Sequence, residues 1–361
     1  MKINLDVHKG DLSMKKRFLL GAFILCISLV MLFGTVVAQN PRTGTSAASE
    51  LLIPVGARDF AMAGSTYASV SGVEAIYWNP AGLSRLSGSA EGMFSSMTWL
   101  ADIKVTYGVA AATFGSFGTV GLSVKSLDFG DIPLTTVDDP ENRSGATFSP
   151  GFITLGLTYS RLITDAVSAG VTAKLISETI PLASSTGVAF DLGLQYHGLF
   201  DVKGLDLGVD VKNIGPEMTW GGSGLLRTAT SSEGNRPEQR YSLVAAGFEL
   251  PSMIDIGLSY VGKSGILLYN VSGSYTSNNL YVDEYKVGGE LGFALGQLSV
   301  FARGGYIFYP QIEQSSDKIF GASVGFGITY QMETTSITAD YGYRSVDLFD
   351  GNNVFSLKIG F

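Results

Sequence analysis

The stretch FITLGLTYSRL, Phe152–Leu162, puts Ile153, Leu155, Leu157 and Tyr159 at alternate positions, with Thr154, Gly156, Thr158 and Ser160 between them. A period of two gives a strand with one apolar and one polar face. The pattern recurs. Leu205, Leu207, Val209 and Val211 alternate with Asp206, Gly208, Asp210 and Lys212. Val188, Phe190, Leu192, Leu194 and Tyr196 alternate with Ala189, Asp191, Gly193 and Gln195. Val324, Phe326, Ile328, Tyr330 and then Ile337, Ala339, Tyr341, Tyr343 continue the series.

Fourteen strands are predicted, at 91–99, 103–115, 117–128, 149–162, 166–179, 186–199, 203–212, 254–261, 265–277, 284–295, 298–308, 318–331, 335–346 and 354–361. Connections after even strands are tight, as in "TDA", "KSG" and "GQ". Those after odd strands include the long ones, 129–148, 213–253, 309–317 and 347–353. Ser242–Glu249 is strand-like but is assigned to a loop, because counting it breaks the parity. A soluble sandwich shares the alternation but has no reason to sort its loops by parity. An even-stranded outer-membrane barrel does, with short periplasmic turns and longer outer loops. The expectation is an all-β, 14-stranded antiparallel transmembrane β-barrel over 90–361, closed so that no edge meets lipid.

The bulk numbers agree. Of 361 residues, 46 are Gly and only 16% are charged. Phe18–Ala38 is the only apolar stretch long enough to span a bilayer as a helix, which excludes a polytopic helical protein. Lys15, Lys16 and Arg17 precede it, and "VVA" ends it. It reads as a signal peptide over 1–38, cleaved after Ala38, with Met14 as an alternative start. An uncleaved anchor is the other reading, and the strands downstream argue against it. Cys26 is the only Cys and lies in the leader, and His8 lies there too, leaving His197 alone. One His without Cys makes neither a zinc cluster nor a Cys/His dyad. No nucleophile stands beside His197, so no enzyme and no cofactor is expected. The leader carries five basic and two acidic residues, so its removal takes the net charge from −8 to −11. That charge disfavours nucleic acid.

Tyr and Phe gather at the ends of the apolar faces, as in the girdles of membrane barrels. The polar faces hold Gly and Ser with some Asp and Lys, which suits a small hydrated lumen. Arg161 falls at a predicted periplasmic strand end, where it can snorkel. The closing NVFSLKIGF places Phe355, Leu357, Ile359 and Phe361 on one face. It resembles the last strand of bacterial outer-membrane barrels, and Phe355 and Phe361 then belong to an insertion signal.

Residues 39–89 are too long for a linker and too apolar for a disordered tail. Within them EAIYWNPAGLSRL, Glu74–Leu86, reads as a capped turn, with Asn79 at the cap and Pro80 fixing the next dihedral. Fourteen strands enclose a lumen that side chains alone do not fill. A plug, or hatch, is the expected use of this segment. Here Asn79 and Pro80 fold it back, and Tyr77 and Trp78 wedge it against the wall.

Leu51–Leu86 resembles the N-terminal signature of the PorV/PorQ family of the type IX secretion system, barrels of the FadL fatty-acid-transporter type. Gly56, Ala57, Arg58, Met62 and Ala75–Leu83, including Trp78, Asn79, Pro80 and Gly82, match it. Ala63 replaces the family's usual first Gly, and the usual acidic pair is absent from "SVSGVEA". The turn is shared with FadL-type transporters, whereas "IPVGAR" is nearer PorV/PorQ. Arg58 is a candidate partner for a lumen carboxylate such as Asp206 or Asp210, or else caps the hatch or meets solvent.

Two functions compete. The resemblance implies a type IX secretion component that binds secreted C-terminal signal domains or other secretion subunits through its outer loops. Candidates there are Asp131, Asp138, Asp139 and Glu141 in one loop and Trp220, Arg227, Arg236 and Arg240 in another. Trp220 is either a contact anchor or an interfacial aromatic. The alternative is a FadL-type transporter of a hydrophobic, lipid-like small molecule. Either way the surroundings are outer-membrane lipid.

Overall fold

A computed structural model describes residues 44–230, 237–310 and 319–361. The predicted leader lies outside these residues, as does Arg236. Fourteen long strands form the wall. They begin with β1 (Ala90–Thr98), β2 (Lys104–Thr113), β3 (Thr119–Asp128), β4 (Gly151–Leu162) and β5 (Val167–Ile180). β6 (Ala183–His197), β7 (Leu205–Ile214), β8 (Met253–Ser264), β9 (Leu267–Asn278) and β10 (Glu284–Leu295) follow. β11 (Leu298–Phe308), β12 (Phe320–Gln331), β13 (Ser336–Val346) and β14 (Asn352–Gly360) complete it. Each pairs antiparallel with the next, and β14 returns to β1 in register from Glu91↔Gly360 to Thr98↔Asn353. The ring is closed, and the predicted strand segments all coincide with its members.

The rows of Val, Leu, Phe and Tyr face outward, as the alternation requires of a barrel in lipid. Leu122, Leu157, Leu192, Leu291 and Phe326 are all more than half exposed, while Thr158, Ser160, Asp191, Gln195 and Asp210 are fully buried. Tyr159, Tyr196, Phe200, Tyr330 and Phe361 cluster at the end with the short turns, the inner end. The side chains of Phe355 and Phe361 project to the lipid side. Arg161 is exposed near the inner end of β4. β1 and β2 invert the pattern: Met93, Met97, Val105, Tyr107, Val109 and Ala111 point inward, and Ser96, Thr106 and Ala110 point out. Period two fixes two faces but not which one is inside. Here the apolar face meets an apolar filling.

That filling is the chain from Gly44 to Ser89. It is built from short helical turns, Ser49–Leu52, α1 (Ala57–Ala61), Gly72–Glu74, α2 (Ala75–Trp78) and Pro80–Arg85. It runs once from the outer end to the inner. Ala48 N donates to Glu178 Oε1 near the outer end of β5. Phe60 packs with Met97, Val105, Leu127 and Val354 at the outer ends of β1, β2, β3 and β14. Ser89 N donates to Phe361 O at the inner end. Ala63, where the family pattern has Gly, sits at φ 56°, in the left-handed region that costs a non-Gly residue about 1–2 kcal/mol.

The long outer connections carry small ribbons that alternation did not reveal. Ile132–Pro133 pairs with Thr147–Phe148, and Leu226–Ala229 pairs with Gln239–Ser242. Met218–Gly221 extends the wall by pairing with Ser184 and Ser185 of β6. Of Ser242–Glu249, only Gly247 and Phe248 pair, with Met218 and Thr219, beyond the ribbon that ends at Ser242.

Candidate functional site

The segment seats against wall positions that lack side chains. A Cβ on Gly170 of β5 would lie 2.3 Å from the Pro80 carbonyl, and one on Gly193 of β6 would lie 2.2 Å from Asn79 Oδ1. A Cβ on Gly208 of β7 would meet Tyr67 O at 2.3 Å, and one on Gly305 of β11 would meet the Met62 carbonyl carbon at 2.5 Å. The backbone of the segment therefore lies directly on the backbone of the wall. Gly82 is needed from the other side: its Cβ would stand 2.2 Å from Val70 O.

The turn works as a fastener. Asn79, fully buried, caps Pro80–Arg85 by accepting from Ala81 N at 3.1 Å. Its Nδ2 donates to Tyr67 O at 2.9 Å and to Leu194 O of β6 at 3.3 Å. Ser160 Oγ of β4 donates to Ala81 O at 2.9 Å and accepts from Ser84 N at 3.2 Å. Trp78 meets the wall through Lys212 of β7, whose Nζ stands 5.5 Å from its ring, and packs mainly within the segment. Its ring lies over Gly64, stands edge-on to Tyr67 and Tyr77, and its Nε1 donates to Val55 O at 3.1 Å. Tyr77 meets the wall through Lys125 and Lys212, whose Nζ atoms sit 5.0 and 4.9 Å from its ring centre.

Arg58, on α1 just after Gly56, finds a lumen carboxylate, but not Asp206 or Asp210. Its Nε and Nη2 grip Glu290 of β10, each at 3.0 Å. Arg303 Nε of β11 also donates to Glu290 Oε2, at 2.6 Å, and Arg303 Nη1 reaches Asp340 at 2.6 Å. The reason is depth. α1 lies toward the outer end beside β10–β13, whereas Asp206 is near the inner end, where His197 Nδ1 takes it at 2.9 Å. Asp210 faces Lys212 at 3.6 Å. Burial works to lower the Arg58 pKa, but Glu290 and Asp59 together hold it well above the ordinary value. Burial pushes Asp59 up to about 6 against the pull of Arg58. Above α1, Arg344 lies 4.1 Å over Phe60 and 5.7 Å from Phe320, and Trp99 stacks on Phe320.

The lumen cations are buried charges that strand alternation passed over. Lys212 Nζ stands 4.9 Å from the Tyr67 ring and 5.5 Å from that of Trp78, a cage of aromatics around an ammonium. Lys174 pairs with Asp191 at 2.5 Å. The signal was a Lys on the polar face of a strand, visible at Lys125, Lys174 and Lys212.

On the outer loops, Asp131 and Asp138 are exposed. Asp139 is turned inward on its own loop, accepting from Arg143 N and Ser144 N at 2.7 and 2.9 Å, and these bonds lower its pKa. Trp220 is half-buried, its backbone paired with Ser185. Arg227 is exposed, with Nη1 on the carbonyls of Gly224 and Leu226.

The wall has one interruption beside this loop. The β6–β7 register slips between Phe190 and Leu192, where Asn213 takes φ 57° and its N–H bonds Asp191 Oδ1 at 2.9 Å. β7 pairs once more, Ile214 with Phe190, and then ends, and Met218–Gly221 takes its place beside β6. Met218 and Leu250 of the loop fill the space, packed with Ile176, Ala189 and the start of the lumenal segment, Ala47, Ala48 and Leu51.

No family model and no curated protein matches the chain. Solved structures share its fold. The CymD monoaromatic hydrocarbon channel does so with a TM-score of 0.53 at 14% identity, over 86% of this chain and 98% of its own. The P. putida toluene transporter TodX gives 0.54 at 15%, over 85% and 98%. The Ralstonia pickettii toluene transporter TbuX gives 0.51 at 12%, over 85% and 98%. Identity this low speaks for the fold alone, and none of the three carries a type IX secretion name. The closed ring, the apolar belt and this likeness make the chain an outer-membrane β-barrel with the fold that these channels share.

Proposed function

We propose that the protein is an outer-membrane channel for a small hydrophobic molecule, with the segment from Gly44 to Ser89 as its hatch. One observation carries the reading. Where β7 ends, just beyond the slipped register at Asn213, its place beside β6 is taken by the short strand Met218–Gly221, and the apolar cluster of Met218, Leu250, Ile176 and Leu51 runs from there to the hatch. Apolar side chains of this kind can part and re-pack around an apolar solute without breaking backbone ladders. The shared fold with channels whose names specify toluene or monoaromatic hydrocarbons gives the probe.

The test uses radiolabelled toluene and cells expressing the full chain. Gly187 and Met218 are in contact, a Gly187 Cβ lying 2.6 Å from Met218 Cγ. The pair Gly187→Cys and Met218→Cys is therefore placed to form a disulfide, and Cys26 is the only native thiol. Uptake above that of empty cells, lost on oxidation and restored by reductant, is expected. Uptake no greater than in empty cells defeats the reading.

Protein capture in type IX secretion is the competing reading, supported by the resemblance of Leu51–Leu86 and by the exposed Asp131 and Asp138. Recovery of secreted C-terminal signal domains with the protein from outer membranes, without toluene uptake, would decide for it.

A further inference from the structure

At the outer rim, the β1–β2 connection (residues 99–103) and the β13–β14 connection (residues 347–351) flank a cleft of about 600 Å³. That is the size of a small-molecule site. Trp99, Leu348 and Phe349 give it apolar walls, and Thr98, Asp102 and Asp350 give it polar ones. Both connections are pinned. Trp99 N donates to Ile103 O at 2.8 Å, and its ring lies 5.3 Å from that of Phe320 on β12. Asp347 N donates to Ile319 O at 2.8 Å, and Asn353 Nδ2 donates to Gly351 O at 3.0 Å. Ala101, Asp102 and Leu348 stand at φ 53°, 60° and 69°. Left-handed backbone at a non-Gly residue persists where its surroundings fix it, and it gathers at ligand clamps.

The chemistry of this lining is one-sided. Asp102, Asp347 and Asp350 are the only charged residues in the two connections. Among the described residues no Lys, Arg or His lines the cleft. Lys104 lies in register with Thr98, but it has Asp128 on its other side, across β3. Leu348 is 92% exposed and Phe349 48%, which leaves bare apolar surface beside two carboxylates. An anion is repelled here, a hydrocarbon leaves the carboxylates idle, and a metal ion leaves the rings idle. A positive charge carried on an apolar body uses both, through ion pairing and through the attraction of a cation for an aromatic face.

We propose that the cleft binds an organic monocation, an amine whose ammonium group meets Asp102 and Asp350 and whose apolar body lies against Trp99, Leu348 and Phe349. No residue of the hatch lines this site, so it stands apart from the lumen and does not rest on the channel reading.

The test uses the purified full chain in detergent, titrated calorimetrically at low ionic strength with phenethylamine, ethylamine and phenylacetate. Phenethylamine should bind saturably at one site, at least tenfold more tightly than either of the others. Asp102→Asn, Asp350→Asn and Phe349→Ala should each weaken it at least threefold, with the barrel band on heat-modifiable gels unchanged. The double variant Asp102→Asn/Asp350→Asn should give no saturable heat. Should one variant not fold, the others and the comparison of the three probes decide. Equal affinity for phenethylamine and phenylacetate means partition onto an apolar surface and overturns the proposal. Equal affinity for phenethylamine and ethylamine means carboxylates acting alone and does the same. So does the absence of saturable binding, or binding that survives in the double variant.

Discussion

Replacing Gly170 by alanine should unseat the hatch while leaving the wall intact. The new Cβ would lie 2.3 Å from the Pro80 carbonyl carbon and oxygen and 2.7 Å from Ala81 N. All three are backbone atoms, and ordinary contact begins near 3.4 Å. The turn must therefore retreat by about 1 Å, the usual response to overpacking, which costs about 1–3 kcal/mol. The retreat also stretches the bonds from Asn79 Nδ2 to Leu194 O, from Ser160 Oγ to Ala81 O and from Ser84 N to Ser160 Oγ. At about 0.5–1.5 kcal/mol net for each, the total is about 2.5–7.5 kcal/mol. Gly108→Ala is the control, since its Cβ would meet nothing within 4 Å. The assay is single-channel conductance in planar bilayers, with heat-modifiable mobility on gels reporting the barrel. Gly170→Ala should conduct at least tenfold more often than wild type, with the barrel band unchanged. Conductance equal to that of Gly108→Ala would show that the close approach does not hold the hatch, and the reasoning would fail.

Other consequences can be checked separately. Asn79→Ala leaves the carbonyls of Tyr67 and Leu194 without their donor and removes a cap, at about 2–3 kcal/mol; urea unfolding monitored by near-ultraviolet circular dichroism reads it. Arg58→Met strips Glu290 of its fork and should cost about 3–5 kcal/mol. A double-mutant cycle with Glu290→Gln should return a coupling of about 0.5–3 kcal/mol, and a coupling near zero rules out the pair as a hatch anchor. Glu50 has its carboxyl raised from 4.5 to about 8, so it binds its proton more tightly when folded. Its stabilisation is complete below the unfolded value and is lost as pH rises through the folded one, by on the order of a few kcal/mol. Melting at about pH 5, 7 and 9 should show falling hatch stability, and Glu50→Gln should flatten the slope. Leu157→Arg places a charge on the lipid face and should cost about 2–4 kcal/mol in refolding into phospholipid vesicles.

The strands were readable because alternation is local: every second residue of Phe152–Leu162 declares its face without reference to any other part of the chain. Loop parity extended that to closure, since both ends of the wall must lie on the inner side. β1 and β2 show the limit. Val105, Tyr107 and Val109 alternate as clearly as Leu155 and Leu157, yet face the opposite way, because Val73, Ile76 and Leu83 of the hatch wait inside. Arg58 shows another limit. Its partner is 232 residues away, and only depth and angular position in the ring select Glu290 over Asp206 or Asp210. Asn79 was legible as a cap from its neighbours, but its bond to Leu194 was not. Trp220 read as a contact anchor or an interfacial aromatic, and the sequence did not show that its backbone pairs with Ser185, because β6 outruns β7 and needs another neighbour.

The bare inner surface has a consequence for how the stopper can move. A wall hollowed at Gly170, Gly193, Gly208 and Gly305 is a mould, and only its own casting fits it. Withdraw the casting and the strands there are left with neither side chains nor backing, the condition in which a ladder is loosest. Departure would therefore soften the mould as it empties it. On the proposed channel reading, a solute would pass only by lining the hollow it opens, and the hatch would act less like a hinged door than like a part exchanged for its cargo.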